Sequence, residues 1–272
     1  MKTLIIGASG QLGIELSKLF PDAIKTYSSH EIPGGIKLDV TNFSAVEDLI
    51  LKVKPDVVIN TVAFTDVDGC EKYKDKAYNI NAEAVKHIVR PSRVVEAYLI
   101  HVSTDYVFDG EKGNYNENDI PNPINYYGLT KLMGEAYAMS YDDALIIRTS
   151  GVFRHKAFPV YVYKTLKSGK EVLAFKGYYS PISARKLANA IKELVELRKT
   201  GILNVAGERI SRYDLALKIA EKFGFEKRVR EVDQISTWVA KRPYDSSLDI
   251  SRAKKLLSTD FYTLDLDGMV VD

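Results

Sequence analysis

The chain has a single cysteine, Cys70, and a single tryptophan, Trp238, in 272 residues. One cysteine excludes an internal disulfide and a thiolate metal cluster, which fits a reducing cytoplasm. The four histidines, His30, His87, His101 and His155, lack the short spacings of a metal site, so each is expected to be structural or solvent-facing and no metal is expected. No stretch approaches the roughly 20 apolar residues of a membrane span. The opening run Met1–Gly7 is too short for a secretory signal and breaks straight into a glycine loop. Charge of one sign is also missing: 38 Lys and Arg stand against 36 Asp and Glu, a net of +2 with no like-charged run. That removes the electrostatic footprint of a nucleic-acid binder or of a charged membrane surface. Internal repeats and low-complexity linkers are absent too. What remains is a composition ordinary for a globular protein, long enough for one large domain or a domain with a smaller partner.

Short apolar runs alternate with helical patterns through the first 150 residues. The runs at 3–6, 23–27, 36–38, 56–60, 98–102 and 145–148 read as strands. The segments 11–20, 43–53, 72–96 and 125–140 read as helices, the third bent at Pro91. Strands apolar throughout and interleaved with helices imply a parallel sheet covered on both faces. Beyond 150 the regularity loosens. Helical patterns at 160–167, 185–198, 212–223 and 251–257 surround one strand-like run at 202–205. The expected organisation is therefore a first domain, 1–150, and a smaller lobe, 151–272, with a helix at 183–199 packing back on the first.

Gly7-Ala8-Ser9-Gly10-Gln11-Leu12-Gly13 lies between the first strand and the first helix. In that context glycines make a dinucleotide fingerprint. Gly7 permits the tight turn, Gly10 close approach of a pyrophosphate, and Gly13 close helix-to-strand packing. The phosphates would sit at a helix N-terminus, where free N–H groups and the dipole favour an anion. A ligand-free tight turn is the lesser reading. An acid about 20 positions on usually holds the adenosine ribose. Here that region is Lys25-Thr26-Tyr27-Ser28-Ser29, without a carboxylate, which leaves room for a 2′-phosphate and points to NADPH, with NADH as the other option.

Farther on, Ser103-Thr104-Asp105 ends a strand, and Tyr127-Gly128-Leu129-Thr130-Lys131 opens a helix. Four residues turn a helix by about 400°, so Tyr127 and Lys131 share a face. Tyr126, five residues from Lys131, cannot share it. A phenol has a pKa of about 10, and a neighbouring cation favours its ionised form. With a Thr104 hydroxyl beside them, these groups could polarise a carbonyl and protonate it. That is the chemistry of a carbonyl reductase.

The Gly-x-x-Gly-x-x-Gly spacing resembles the extended short-chain dehydrogenases/reductases that act on nucleotide sugars. Longer strings resemble the dTDP-4-dehydrorhamnose reductase family: residues 60–68, Asn79-Ile80-Asn81-Ala82, residues 103–110, Tyr127–Lys131 with Gly134-Glu135, Arg148-Thr149-Ser150, and Arg242-Pro243 with Ser246, Leu248 and Asp249. The resemblance runs over nearly the whole chain. It implies an α/β fold, a Rossmann-type doubly wound parallel sheet with a smaller C-terminal α/β substrate lobe. It also implies reduction of the 4-keto group of a nucleotide-linked 6-deoxy sugar, foremost dTDP-4-dehydro-L-rhamnose, in a cytoplasmic enzyme whose relatives point to a homodimer. In site residues, it implies that Gly10, Gln11 and Leu12 line the cofactor phosphates and that Ala63, Phe64 and Thr65 lie along its ribose and nicotinamide. Asp39 and Val40 would face the adenine, although Asp39 before Thr41 reads equally as a helix cap. Thr104 would hydrogen-bond the substrate carbonyl with Asp105 alongside. Tyr127 would give the proton, and Lys131 would hold the nicotinamide ribose and lower the Tyr127 pKa.

Two departures fall on the substrate side. The family's tryptophan after Arg-Thr-Ser is Gly151 here, and its Asp-Gln-x-Gly-x-Pro-Thr string is Lys176-Gly177-Tyr178-Tyr179-Ser180-Pro181-Ile182. Arg242 reads evenly as a cation for the nucleotide diphosphate or as an exposed loop arginine. Cys70 reads as a small helix residue. The departures keep two other readings open: an NADP-binding regulatory subunit of the methionine adenosyltransferase type, without sugar turnover, and a nucleotide-sugar epimerase.

Overall fold

β1 (Thr3–Ile6) is buried along its whole length, and the chain leaves it through the glycine loop into α1 (Gln11–Leu19). The computed structural model describes residues 1–271. β2 (Ile24–Tyr27), β3 (Ile36–Lys37), α2 (Phe43–Val53) and β4 (Val57–Asn60) follow. Next come α3 (Val67–Lys72), α4 (Lys74–Tyr78), a π-helical turn at Asn79–Glu83 and α5 (Ala84–Val94). β5 (Tyr98–Thr104) runs into a 3₁₀ turn at Asp105–Val107, then α6 (Tyr126–Met139) and β6 (Ala144–Thr149). The remainder is α7 (Phe158–Lys167), β7 (Val172–Phe175), β8 (Tyr178–Tyr179), α8 (Ala184–Leu197), β9 (Gly201–Asn204), β10 (Ile210–Ser211), α9 (Arg212–Phe223), β11 (Val229–Val232) and α10 (Ser251–Leu256).

The central sheet is parallel throughout, in the order β3-β2-β1-β4-β5-β6-β9. This is the doubly wound α/β fold expected. The winding reverses between β1 and β4, and in such sheets the crevice beyond the strand C-termini at the reversal receives ligands. One face is covered by α1 and α8, where Leu12 and Leu16 share a core with Leu187, Ile191 and Leu194. The other face is covered by Val46 and Ile50 of α2 with Val85 and Ile88 of α5. A third core joins Val160, Val162 and Leu166 of α7 to Leu215 and Ile219 of α9.

The structure differs from the sequence reading in three places. The single helix expected over 72–96 is three helices and a π-turn. Asp66 starts α3 early by accepting from Gly69 N at 2.9 Å, and Tyr73, at φ −118° and ψ 64°, breaks the run. Pro91 sits inside α5 without ending it. The sheet also draws its seventh strand, β9, from beyond residue 150, so it is not built from 1–150 alone. Finally, β7 pairs with β11 and β8 with β10. These pairings of two to four residues join segments far apart in sequence, where no local periodicity announces them.

Candidate functional site

The glycine loop and the segment after β4 form the two lips of the crevice. Gly7 has φ +91°, and a Cβ there would lie 2.7 Å from both Thr61 Oγ1 and Val62 Cγ2. A Cβ at Gly13 would lie 2.2 Å from Gly7 O, so α1 can pack this close only with glycine there. Gly10 is different. It is exposed, and a Cβ there meets only Gly7 O, at 3.4 Å. The protein itself does not need that glycine; the open space above it does. It caps α1 without a side-chain hydrogen bond, and no acidic residue stands in the first turn. The loop therefore fits the phosphates of a dinucleotide, which would meet free N–H groups at a positive helix end.

Gln11 and Leu12 can face such a ligand only with their backbone. The Gln11 side-chain oxygen accepts from Arg154 N, His155 N and Lys156 N at 2.9, 3.1 and 2.9 Å, while its amide donates to Val152 O at 3.3 Å. Leu12 is buried against α8. Lys25 donates to Pro21 O at 3.0 Å. Asp39 accepts from Thr41 N and Oγ1 at 2.9 and 2.7 Å, which makes a turn; the cap of α2 is Asn42, not Asp39. Val40 beside it is buried.

Phe64, between Ala63 and Thr65, is held by a residue whose motif carried no stated role. Asn81, in the π-turn, accepts from Phe64 N at 2.8 Å and donates to Phe64 O at 3.2 Å and Thr130 Oγ1 at 3.1 Å. It thus ties the lip after β4 to α6.

α6 starts where Asn125 accepts from Gly128 N at 2.8 Å. Two glycines set its position: a Cβ at Gly128 would lie 2.0 Å from Tyr106 O, and one at Gly134 2.3 Å from Asn81 O. The helix therefore lies directly against the turn that follows β5, which brings Tyr127 to Thr104. Thr104 ends β5 nearly buried, donating to Asp105 Oδ1 at 3.1 Å and accepting from Tyr106 N at 3.2 Å. Tyr127 meets the Tyr106 ring edge-on, with centroids 5.9 Å apart. Burial pushes the Tyr127 phenol above its ordinary pKa, opposed by a hydrogen bond with Thr104. Lys131, 1% exposed, donates to Val102 O at 2.7 Å. Burial lowers its pKa to about 8, against the opposing charge of Glu135. Burial dominates the Tyr127 phenol, and the Lys131 ammonium is directed at the β5 backbone. Tyr126, as expected, stands apart, its ring under Lys74 at 5.3 Å.

Beneath this set lies a buried ion pair. Arg148 Nη2 donates to Glu135 Oε2 at 2.7 Å, and Ser103 Oγ donates to Glu135 Oε1 at 2.5 Å. His101 is fully buried beside Asn60, and burial together with Lys131 holds its pKa well below the usual value, so it stays neutral. Cys70 is buried in α3, its thiol pushed up to about 12 by burial, and is no nucleophile.

On the substrate side, Asp105 is the junction. Its carboxylate accepts from Ser150 at 2.8 Å and Ser246 at 2.5 Å, tying β6 and the closing motif to the end of β5. Burial raises its pKa, and the hydroxyls of Ser246, Ser150 and Thr104 pull the other way. Ser150 and Ser246 fall within the family-like strings, whose implied roles go to their neighbours Gly151 and Arg242. Arg242 is neither a bare cation nor an exposed loop residue. It is paired with Asp68 at 2.8 Å, which also accepts from Val239 N and Ala240 N, and it stacks 4.6 Å from the Trp238 ring. The two departures from the family pattern touch: a Cβ at Gly151 would lie 2.5 Å from Tyr179 Cε2. Sequence spacing gave no sign of that contact.

The sequence pattern of a family described as the RmlD substrate binding domain matches residues 1–270. A dTDP-4-dehydrorhamnose reductase of Aggregatibacter actinomycetemcomitans is 32% identical, covering 93% of this chain and 92% of its own. The bovine methionine adenosyltransferase 2 subunit beta is 28% identical over 94% of this chain and 82% of its own length. The crystal structure of a hypothetical dTDP-4-dehydrorhamnose reductase from Sulfolobus tokodaii superposes with a TM-score of 0.98, at 70% identity, covering all of both chains. That of the Bacillus anthracis dTDP-4-dehydrorhamnose reductase in complex with NADP gives a TM-score of 0.87 at 28% identity, over 96% of this chain and 95% of that one.

Proposed function

The chain belongs to the RmlD substrate binding domain family, and from that membership we propose that it is an NAD(P)H-dependent oxidoreductase of nucleotide sugars. The reaction is reduction of the 4-keto group of a nucleotide-linked 6-deoxy sugar, with dTDP-4-dehydro-L-rhamnose going to dTDP-L-rhamnose. The observation that carries it is the Tyr127–Thr104 hydrogen bond at the C-terminal end of β5, with Lys131 one helical turn on and donating to Val102 O of the same strand.

When bound, the reduced nicotinamide supplies the hydride. Gly7, Gly10 and Gly13 shape the phosphate site with the backbone of Gln11 and Leu12, and Asp39 with Val40 borders the adenine. Ala63, Phe64 and Thr65 border the ribose and nicotinamide. Thr104 donates to the substrate carbonyl oxygen, and Asp105 fixes the turn that aims it. Tyr127 hands its proton to that oxygen as carbon gains the hydride, so the ketone becomes a secondary alcohol and the tyrosine is reprotonated from solvent. Its raised pKa suits this direction, because the phenol arrives protonated. Lys131 holds the nicotinamide ribose. Arg242, paired with Asp68, is better suited to bracing the 239–242 segment against α3 than to serving as a free cation. NADPH is the favoured cofactor, since no carboxylate stands at 27–30.

The regulatory-subunit reading is the weaker one. It has a relative in the adenosyltransferase subunit, but the reductases match more strongly and the acid–base set of this chain is complete. Among the described residues no helix is long and apolar enough to cross a membrane; a cytoplasmic homodimer is the assembly we propose, to be checked by sedimentation. The test of function is absorbance of the reduced nicotinamide with dTDP-, GDP- and UDP-linked 4-keto sugars. Turnover should be seen with the dTDP sugar, and Tyr127→Phe should lower kcat by about 10²–10⁴ while leaving NADPH affinity within about twofold. A Phe variant as fast as the wild type would remove Tyr127 from the mechanism.

A further inference from the structure

Gly151 takes a left-handed backbone, φ +49°, and the Tyr179 ring fills the space where its side chain would be. Tyr179 is 4% exposed, yet its hydroxyl has no hydrogen-bond partner. Arg212, 7% exposed, stacks its guanidinium 4.5 Å from the centroid of that ring, and its Nη1 has no partner either. Buried polar groups are almost always satisfied, and two unsatisfied ones side by side call for an explanation. Their position supplies one. Arg212 acts electrostatically on Asp105 and on Tyr106, and the Tyr106 ring meets that of Tyr127. Arg212 hydrogen-bonds Tyr106, and Ser180, next to Tyr179, donates its N–H to Ser150, so the unpaired pair adjoins the acid–base set on the side where Ser150 and Ser246 meet Asp105.

We propose that Tyr179 and Arg212 are the specificity-determining wall of this chain, their free hydroxyl and Nη1 binding hydroxyl oxygens of the nucleotide-linked sugar. The proposal rests on the reductase reading above. Gly151 is then a consequence of Tyr179, because any side chain at 151 would collide with the ring.

The experiment compares wild type, Tyr179→Phe and Arg212→Lys by titration calorimetry with dTDP-L-rhamnose and with dTDP, alongside NADPH binding and thermal unfolding. Tyr179→Phe keeps the ring and removes only the hydroxyl. Each variant should bind dTDP-L-rhamnose about tenfold more weakly, the order of one hydrogen bond, with dTDP and NADPH affinity unchanged. In turnover, KM for the sugar nucleotide should rise with kcat nearly constant. If Tyr179→Phe raises the melting temperature and leaves sugar affinity alone, the hydroxyl is merely an unsatisfied core group and the proposal is overturned. Equal weakening toward dTDP would overturn it as well, by placing the contact on the nucleotide. A wild-type protein that neither binds nor reduces any nucleotide sugar would instead overturn the reductase reading, and this inference with it.

Discussion

Lys131 shows what burial does to a single charge. Folded, it releases its proton near pH 8, whereas in the unfolded chain an ordinary lysine holds on to about 10.4. Below pH 8 both states are protonated, and the fold carries the full cost of the buried ammonium. Between about 8 and 10.4 the unfolded chain binds more protons, so the contribution of Lys131 to stability rises with pH across that window. Activity should move the other way, because losing the cation loosens the nicotinamide ribose. We expect kcat/KM for NADPH to fall above about pH 8 in a pH–rate profile, while stability in urea gains from this residue. A profile flat to pH 10 would contradict the assignment. Tyr127 was legible at this scale, since its spacing from Lys131 is a local property of a helix. Its raised pKa was not, because that depends on what covers it.

Between elements, the site is positioned by groups that touch neither sugar nor cofactor in the proposed mechanism. Asn81 holds the Phe64 backbone from both sides and is fully buried. Asn81→Ala should weaken NADPH binding about tenfold and speed amide exchange at 63–65, with thermal stability lowered by about 1–3 kcal/mol for the groups left unpaired. Unchanged exchange at 63–65 would show that the clamp is not needed. Gly128 is as demanding. Gly128→Ala would drive a methyl into Tyr106 O, so α6 must shift. We expect a loss of about 1–3 kcal/mol from overpacking and a fall in kcat larger than the rise in KM, measured by denaturation and steady-state rates. The helices at 43–53 and 212–223 were readable to the residue from their apolar spacing. The π-turn was not, because it exists to aim Asn81 at a loop 17 positions earlier.

At the scale of the molecule, the two halves of the chain are laced together. β9 extends the sheet beside β6, α8 covers the α1 face, Gln11 holds the backbone of 154–156, and Asp105 joins Ser150 to Ser246. A fragment of residues 1–150 would bare Leu12 and Leu16 and the edge of β6. We expect it to be aggregated or without fixed tertiary structure, by near-ultraviolet circular dichroism and gel filtration; a soluble, cooperatively unfolding fragment would refute the lacing. The sequence by itself determined the alternation of strand and helix, the glycine loop, and the one-face placement of Tyr127 and Lys131, because hydrophobic periodicity, helix geometry and the conformational demands of glycine act over a few residues. Only the tertiary structure decided that the Gln11 side chain serves a distant loop, that Asp68 takes the charge of Arg242, and that Gly151 and Tyr179 share one space. Each of those depends on contacts between residues far apart in the chain, which no local pattern encodes.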